Sequence, residues 1–379
     1  MLRSTLKRKI WLPVAGILAV ILLVAGCGGG GSKSETPTTT PITTPTPTST
    51  MPAATSLTGA GATFPAPLYS KWFDEYNKLT GVAINYQAIG SGGGIKAITD
   101  GTVDFGASDG IMSDAEQAAA EAAHGPIMHV PMTSGSVAIA YNISGMKSGE
   151  LKLTPDVLAD IYLGKLTKWN DPRITAINPG LTLPNSDIAV VHRSDGSGTT
   201  YIFTDYLSKV SQDWAAKVGT AKSVQWPVGI GGSGSAGVAG QVQQLSNSIG
   251  YVELAYAIQN NMPWAKLLNK AGNYIEPSLA ATTKAAEGVS LPDDMKIMIT
   301  NSANPQAYPI AGFTWILVYK NQQNQAKGLA LARMLWWAIH DGQKYTESLQ
   351  YSSLPNDAVS KAEKEILSMN YNGQPLITR

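Results

Sequence analysis

The chain has 379 residues, with 28 Lys and Arg against 27 Asp and Glu, a formal charge of +1 and a single cysteine. This length suits two domains better than one. The near-even charge excludes a partner held by a broad positive field, nucleic acid above all, and one cysteine leaves the body without a disulfide.

The first nine residues carry Arg3, Lys7, Arg8 and Lys9, and an uncharged apolar run follows from Ile10 to Gly26. A basic start, an apolar stretch and small residues at its end form an export signal. The ending Leu23-Val24-Ala25-Gly26-Cys27 resembles a bacterial lipobox, which implies a lipoprotein signal peptide over 1–26, cleavage before Cys27 and lipid attachment to that thiol. A retained single-span anchor is the alternative, since 17 apolar residues reach across a thinned bilayer. Cleavage removes four cations and no acid, taking the charge from +1 to −3, so an anion site in the body must work through local dipoles. Residues 27–56 are rich in Gly, Ser, Thr and Pro, bury too little to fold, and read as a tether.

From Leu57 the composition becomes that of a packed body. Leu57 to Pro67 reads as a short strand and a small-residue turn before a helix carrying Leu68, Trp72, Phe73 and Tyr76 on one face; Thr63, two residues before Pro65, is placed to cap it. Val82 to Tyr86 alternates as a strand and runs into Gly90-Ser91-Gly92-Gly93-Gly94, where glycines let the backbone approach a ligand at a helix start. Thr102 to Asp109 reads as a buried strand whose C-terminal end delivers Ser108 and Asp109, where open α/β sheets place ligand contacts. After a helical run from Asp114 to Ala123 come a strand from Ile127 to Tyr141, a helix opened by Thr154-Pro155, and a strand from Ile188 to Val191.

That strand leads into His192-Arg193-Ser194-Asp195-Gly196-Ser197-Gly198-Thr199-Thr200, opening a helix whose Ile202, Phe203, Tyr206, Leu207 and Val210 recur at helical spacing. Two interpretations fit this stretch: a capped helix with an Arg–Asp surface pair, or an anion site built on unpartnered N–H groups and the helix dipole. A further Gly-rich loop, Trp226 to Gly237, precedes a helix over Val238 to Leu245 and a strand over Ile249 to Glu253. The last third holds a strand, Thr314 to Tyr319, and an amphipathic helix, Gln325 to His340. Alternating strands and helices give α/β layers.

Four motifs carry a resemblance to the phosphate-binding proteins of phosphate ABC importers: Leu57 to Pro67, Tyr86 to Gly94, Val103 to Asp109 and Arg193 to Thr199, in order over about 140 residues. Weaker similarity extends it to Tyr256, and the C-terminal third matches only loosely. The resemblance implies a two-lobed, type II periplasmic-binding-protein fold, each lobe a mixed β-sheet flanked by helices. A hinge of two chain crossings joins them, with 57–130 and 298–379 as lobe I and 131–297 as lobe II. It also implies that phosphate (HPO4/H2PO4) meets Thr63, the Phe64 N–H, Ser91, Asp109, Arg193, Ser197, Gly198 and Thr199, with Asp195 pairing Arg193. Gly92 and Ser194 depart from the family pattern at positions given no ligand role. The implied partners are ABC permease subunits and, through the lipid alone, the outer face of the cell membrane; the protein is expected to be a monomer.

The chemistry suits that ligand. Phosphate near neutral pH keeps a proton and sulfate does not, so an acceptor-only carboxylate in a dry cleft, Asp109, accepts from one and faces a bare lone pair on the other. Arg193 supplies a fixed fork of donors, and Asp195 holds it while nearly cancelling its charge. Rivals remain: another oxyanion such as sulfate or molybdate; a phosphoester hydrolase using Ser91 or Ser197, neither of which stands in a Gly-x-Ser-x-Gly turn; or a phosphate-binding surface sensor not coupled to import. No His/Cys cluster suggests a metal, no cofactor is expected, and the four histidines and nine tryptophans fit packing roles.

Overall fold

The computed structural model describes residues 53–287 and 289–378. The signal segment, Cys27 and the tether up to residue 52 lie outside the described residues. Among the described residues no helix is long and apolar enough to cross a membrane. Ala54 N–H already donates to Ala326 O at 3.0 Å, so the chain engages the body just before the first strand.

The first half runs β1 (Ser56–Gly61), α1 (Ala66–Thr80), β2 (Ala83–Gln87), α2 (Ser91–Thr99), β3 (Phe105–Ser108), α3 (Asp114–His124) and the long β4 (Ile127–Asn142). The middle adds β5 (Lys152–Leu153), α4 (Pro155–Tyr162), α5 (Pro172–Ile177), β6 (Ala189–Arg193), α6 (Gly198–Val210), α7 (Gln212–Lys217), β7 (Ile230–Gly232), α8 (Gly234–Gln244), β8 (Ser248–Glu253) and α9 (Leu254–Gln259). Then come β9 (Lys266–Leu268), β10 (Tyr274–Ile275), α10 (Leu279–Ala286), β11 (Ala311–Tyr319), α11 (Gln325–Ile339), α12 (Asn356–Ser368), β12 (Asn370–Tyr371) and β13 (Gln374–Pro375).

Eight strands form one mixed sheet in the order β2-β1-β3-β11-β4-β8-β6-β7. Strands β2, β1 and β3 are mutually parallel at one end, as are β8, β6 and β7 at the other, and the antiparallel pair β11 and β4 joins the two sets. β4 makes the join by changing partner: residues 127–136 pair with β11 and residues 137–142 with β8. Its register slips opposite Thr314 and Trp315, beside Pro131, which has no N–H to give the ladder. The chain returns immediately before β11, where Val137 N–H donates to Ile310 O at 2.8 Å. Backbone connections therefore pass between the two strand sets at β4 and at the run into β11.

Apolar periodicity accounts for the layers. Leu68, Tyr69, Trp72, Phe73 and Tyr76 bury one face of α1, and Gly81 (φ 75) ends it in the left-handed conformation. β4 and β11 are buried almost throughout, as central strands covered on both faces must be. Among the described residues Trp72, Trp169, Trp214 and Trp315 are fully buried, Trp226 and Trp264 are partly exposed, and Trp11 lies outside the described residues. The segment around α10 packs against the central strands β4 and β11: Thr282 Oγ1 lies 2.6 Å from Ser136 Oγ, and Trp315 Nε1 donates to Met295 O at 3.1 Å.

Two local expectations are corrected. Thr63 caps no helix: the residue before α1 is Pro65, and no side chain bonds its first turn. Pro67 brings no N–H, and Ala66 and Tyr69 N–H already donate to Thr63 O (3.3 Å) and Pro65 O (2.8 Å), so the Thr63 hydroxyl is released for other work. The helix expected from Val238 begins instead at Gly234, so the Gly-rich loop is its first turn. Thr154 does precede α4, but its side chain makes no capping bond.

Candidate anion-binding site

The geometry of the sheet collects the site. A parallel strand set presents its C-terminal ends on one side, where helix N-termini begin. The turn after β1 carries Thr63 and Phe64, β2 leads to Ser91 at the first residue of α2, and Asp109 follows β3. From the other set, β6 ends on Arg193 and leads to Ser197, Gly198 and Thr199 at the start of α6, while β7 leads to Ser235 at the start of α8.

These groups are closed off from water. Ser91 and Ser197 are 0% exposed, Asp109 and Thr199 1%, Arg193 3% and Thr63 6%. The two strand sets meet directly: Gly92 N–H donates to Gly196 O at 2.8 Å, and Ser91 Oγ accepts from Asp109 N–H (3.2 Å) and Gly198 N–H (3.0 Å). A Cβ on Gly198 would stand 2.6 Å from Asp109 Cβ, N and Oδ2, so only glycine admits this approach.

Arg193 is held from behind. Its Nε and Nη2 donate to Asp195 Oδ1 (2.8 Å) and Oδ2 (2.5 Å), a bidentate fork that fixes the guanidinium plane. Asp195 also accepts from Gly234 N–H at 2.9 Å, and its carboxyl titrates below the ordinary range: burial works against this but is outweighed by Arg193 and that N–H. Arg193 Nη1 faces Thr199 Oγ1 and Ser235 Oγ at 3.4 Å each, long contacts that leave its donors largely unspent.

Asp109 is the opposite case. Burial pushes its carboxyl from 3.8 up to about 7, offset only in part by the Thr314 hydroxyl, Arg193 and Ser91. Its Oδ1 is fully buried and accepts no hydrogen bond, and neither does the nearby Thr314 Oγ1 complete one. A buried acceptor without a donor costs about 1–3 kcal/mol, so the site is incomplete as it stands.

The expected residues therefore converge, with roles divided more finely than the sequence suggested. The Phe64 ring is core, 0% exposed, and its N–H bonds nothing among the described residues. Gly198 N–H donates to Ser91 here. Ser197 Oγ caps α6 by accepting from Thr200 N–H at 3.0 Å, which leaves its proton for another acceptor. The capped-helix and anion-site interpretations of this turn are thus compatible. Neither Ser91 nor Ser197 bonds a histidine. Among the described residues no group of three His, Cys, Asp or Glu has a metal-site arrangement.

Sequence reasoning missed Ser235. Its Oγ lies 2.9 Å from Thr63 Oγ1, its N–H donates to the same oxygen at 3.2 Å, and it faces Arg193. The run Gly231-Gly232-Ser233-Gly234-Ser235 was the available signal, hidden by starting the helix four residues late.

Comparison with known proteins gives the family. Residues 46–333 match the model of the PBP superfamily domain. The chain is 45% identical to the phosphate-binding protein PstS of Xylella fastidiosa (strain 9a5c), over 82% of this chain and 84% of that one. The chain belongs to the phosphate-binding protein family. PstS of Haemophilus influenzae is 44% identical, over 82% of this chain and 92% of the relative. Among solved structures, a phosphate-binding protein from Stenotrophomonas maltophilia superposes with a TM-score of 0.64 at 20% identity, over 82% of this chain and 94% of that one, which establishes a shared fold. Members of this family are named as binding proteins, and the two-lobed α/β fold expected from the resemblance is the one observed.

Proposed function

We propose that the chain is a solute-binding protein that captures inorganic phosphate between two closing lobes and delivers it to an ABC importer. One observation carries this: a fully buried carboxylate oxygen without a donor, Asp109 Oδ1, stands among hydroxyls and an arginine with donors to spare. With Asp109 ionised, such a set favours an anion that still holds a proton, which describes phosphate and disfavours sulfate and molybdate. The ligand-binding set is Thr63, Phe64 N–H, Ser91, Asp109, Arg193, Ser197, Gly198 and Thr199, with Asp195 in support. The relatives' names point to the same ligand.

Phosphate is small: at a ceiling near 1.5 kcal/mol per heavy atom it can gain only about 7.5 kcal/mol, roughly micromolar affinity, so nearly every oxygen must be met. Enclosure from both sides supplies that. We take 57–130 with 298–379 and 131–297 as the closing lobes, hinged where β4 changes partner and where the chain returns into β11. Titration calorimetry on the full chain should give tight phosphate binding and no sulfate binding; equal affinity for both anions overturns the assignment.

Outside the described residues, the Leu23-Val24-Ala25-Gly26-Cys27 ending supports a lipoprotein on the outer face of the cell membrane, where permease subunits are met. Labelling cells with a radioactive fatty acid should mark the wild-type protein and not Cys27→Ser; an unlabelled wild type overturns the lipid anchor.

A further inference from the structure

Three tyrosines close on three successive carbonyls of the turn after β1. Tyr86 Oη donates to Ala62 O, Tyr256 Oη to Thr63 O and Tyr351 Oη to Phe64 O, each at 2.7 Å. Tyr86 belongs to β2, a neighbour of that turn in the sheet, whereas Tyr256 reaches it from α9 and Tyr351 from the C-terminal region, 193 and 287 residues away in sequence. With its carbonyls pinned, the turn cannot rotate its peptides, and the Thr63–Phe64 peptide is left with an N–H that bonds nothing else among the described residues. A hydroxyl on the Thr63 carbonyl also polarises that same peptide and strengthens its N–H as a donor.

Behind Tyr351 lies Glu253, fully buried at the end of β8. Tyr351 Oη is within hydrogen-bond distance of two acceptors, Phe64 O at 2.7 Å and Glu253 Oε2 at 3.0 Å, yet it has one proton. Both contacts are bonds only if the second proton belongs to Glu253, so that the acid donates to Tyr351 and Tyr351 donates to Phe64 O. Two further facts fit a neutral acid. Glu253 Oε1 has no hydrogen-bond partner, which a buried carboxylate would tolerate poorly, and no cation forms an ion pair with it among the described residues. Burial holds this carboxyl well above the usual range. The titratable and charged groups facing it are Tyr351, Tyr256 and Asp109, with Arg193 beyond Tyr256, and the negative charge of Asp109 acts in the same direction as burial.

We propose that Tyr256 and Tyr351 are positioning residues for anion capture, fixing the Thr63–Phe64 turn with the Phe64 N–H available to the ligand, and that Glu253, as a neutral acid, supplies the proton that lets Tyr351 do so. This rests on phosphate as the ligand and on Phe64 N–H as one of its donors. Glu253 and Tyr256 lie in 131–297 and the turn in 57–130, so these bonds also tie the two lobes together near the crossing in β4.

The test is titration calorimetry with inorganic phosphate on the full chain and on Tyr256→Phe, Tyr351→Phe, Glu253→Gln and Glu253→Leu, with thermal unfolding of each ligand-free protein. Loss of one such hydrogen bond should weaken phosphate binding about tenfold in each Tyr→Phe variant, with unfolding temperature little changed. Glu253→Gln can put an amide N–H on Tyr351 only by facing the Ala255 N–H that donates to Glu253 Oε2 at 2.8 Å, so it should weaken binding, but by less than the roughly tenfold expected of Glu253→Leu. Infrared difference spectra between wild type and Glu253→Gln should contain the carbonyl stretch of a neutral carboxylic acid, shifted in Tyr351→Phe. Wild-type affinity in both Tyr→Phe variants overturns the positioning role, and Tyr256→Phe alone decides it if Tyr351→Phe does not fold. Glu253→Gln as weak as Glu253→Leu, with no neutral-acid band, overturns the proton assignment. Failure of the wild type itself to bind phosphate would overturn the functional proposal and this inference with it.

Discussion

Asp109 and Arg193 work by opposite means. Arg193 is neutralised by Asp195 before any ligand arrives, so it offers directed donors rather than net charge, whereas Asp109 is left with an oxygen unmet. In Asp109→Asn the amide can turn an N–H toward a fully deprotonated ion. Phosphate affinity should fall roughly 10- to 100-fold, the loss of one charge-assisted bond, and sulfate should begin to bind; calorimetry with both anions checks this, and unchanged sulfate rejection would remove Asp109 from the selectivity role. Arg193→Ala strands Asp195 on Gly234 N–H alone and should weaken phosphate by about 2–5 kcal/mol on the same measurement.

The raised carboxyl of Asp109 has a pH signature. The folded protein holds this proton up to about 7 while the unfolded chain releases it near 3.8, so the contribution to stability is fully present below about 3.8 and declines as pH rises toward 7. The change amounts to up to about 4 kcal/mol for this one group. Urea unfolding of the ligand-free chain at several pH values should show that decline, and Asp109→Asn should flatten it. A variant curve parallel to wild type would mean that the carboxyl is not buried in solution.

Among the elements, the helix starts decide the site. α6 enters with Ser197 as its cap and Gly198 against Asp109, and α8 enters with Gly234 N–H on Asp195. Gly198→Ala keeps a good helix former yet places a methyl 2.6 Å from Asp109, so closure is blocked while the fold stands. Phosphate affinity should drop at least about tenfold with little loss of unfolding temperature. Wild-type affinity in that variant would show that α6 need not approach so closely. The starts of α2 and α6 were readable because Gly and Ser at the end of a strand carry their chemistry locally. The contact of Thr63 with Ser235 was not, because the partner of each is the other, 172 residues away.

Among the described residues one eight-stranded mixed sheet, accompanied by smaller sheets of three and two strands, joins two parallel sets through an antiparallel pair. Ligand held between the sets should stabilise both together, so millimolar phosphate should raise the unfolding temperature in proportion to the logarithm of its concentration, and sulfate should not. A phosphate-independent midpoint would contradict enclosure. The sequence by itself determined the strand and helix alternation and the glycine turns at strand ends where we propose that the ligand is met, because strand ends, glycine turns and side-chain donor inventories are local properties. Tertiary structure alone decided that the Thr63 hydroxyl serves Ser235 instead of α1, that Asp109 Oδ1 stays unpaired, and that Tyr256, Tyr351 and Glu253 close on the turn after β1. Those depend on which distant segments the sheet order brings together, and on burial, which no stretch of sequence carries alone.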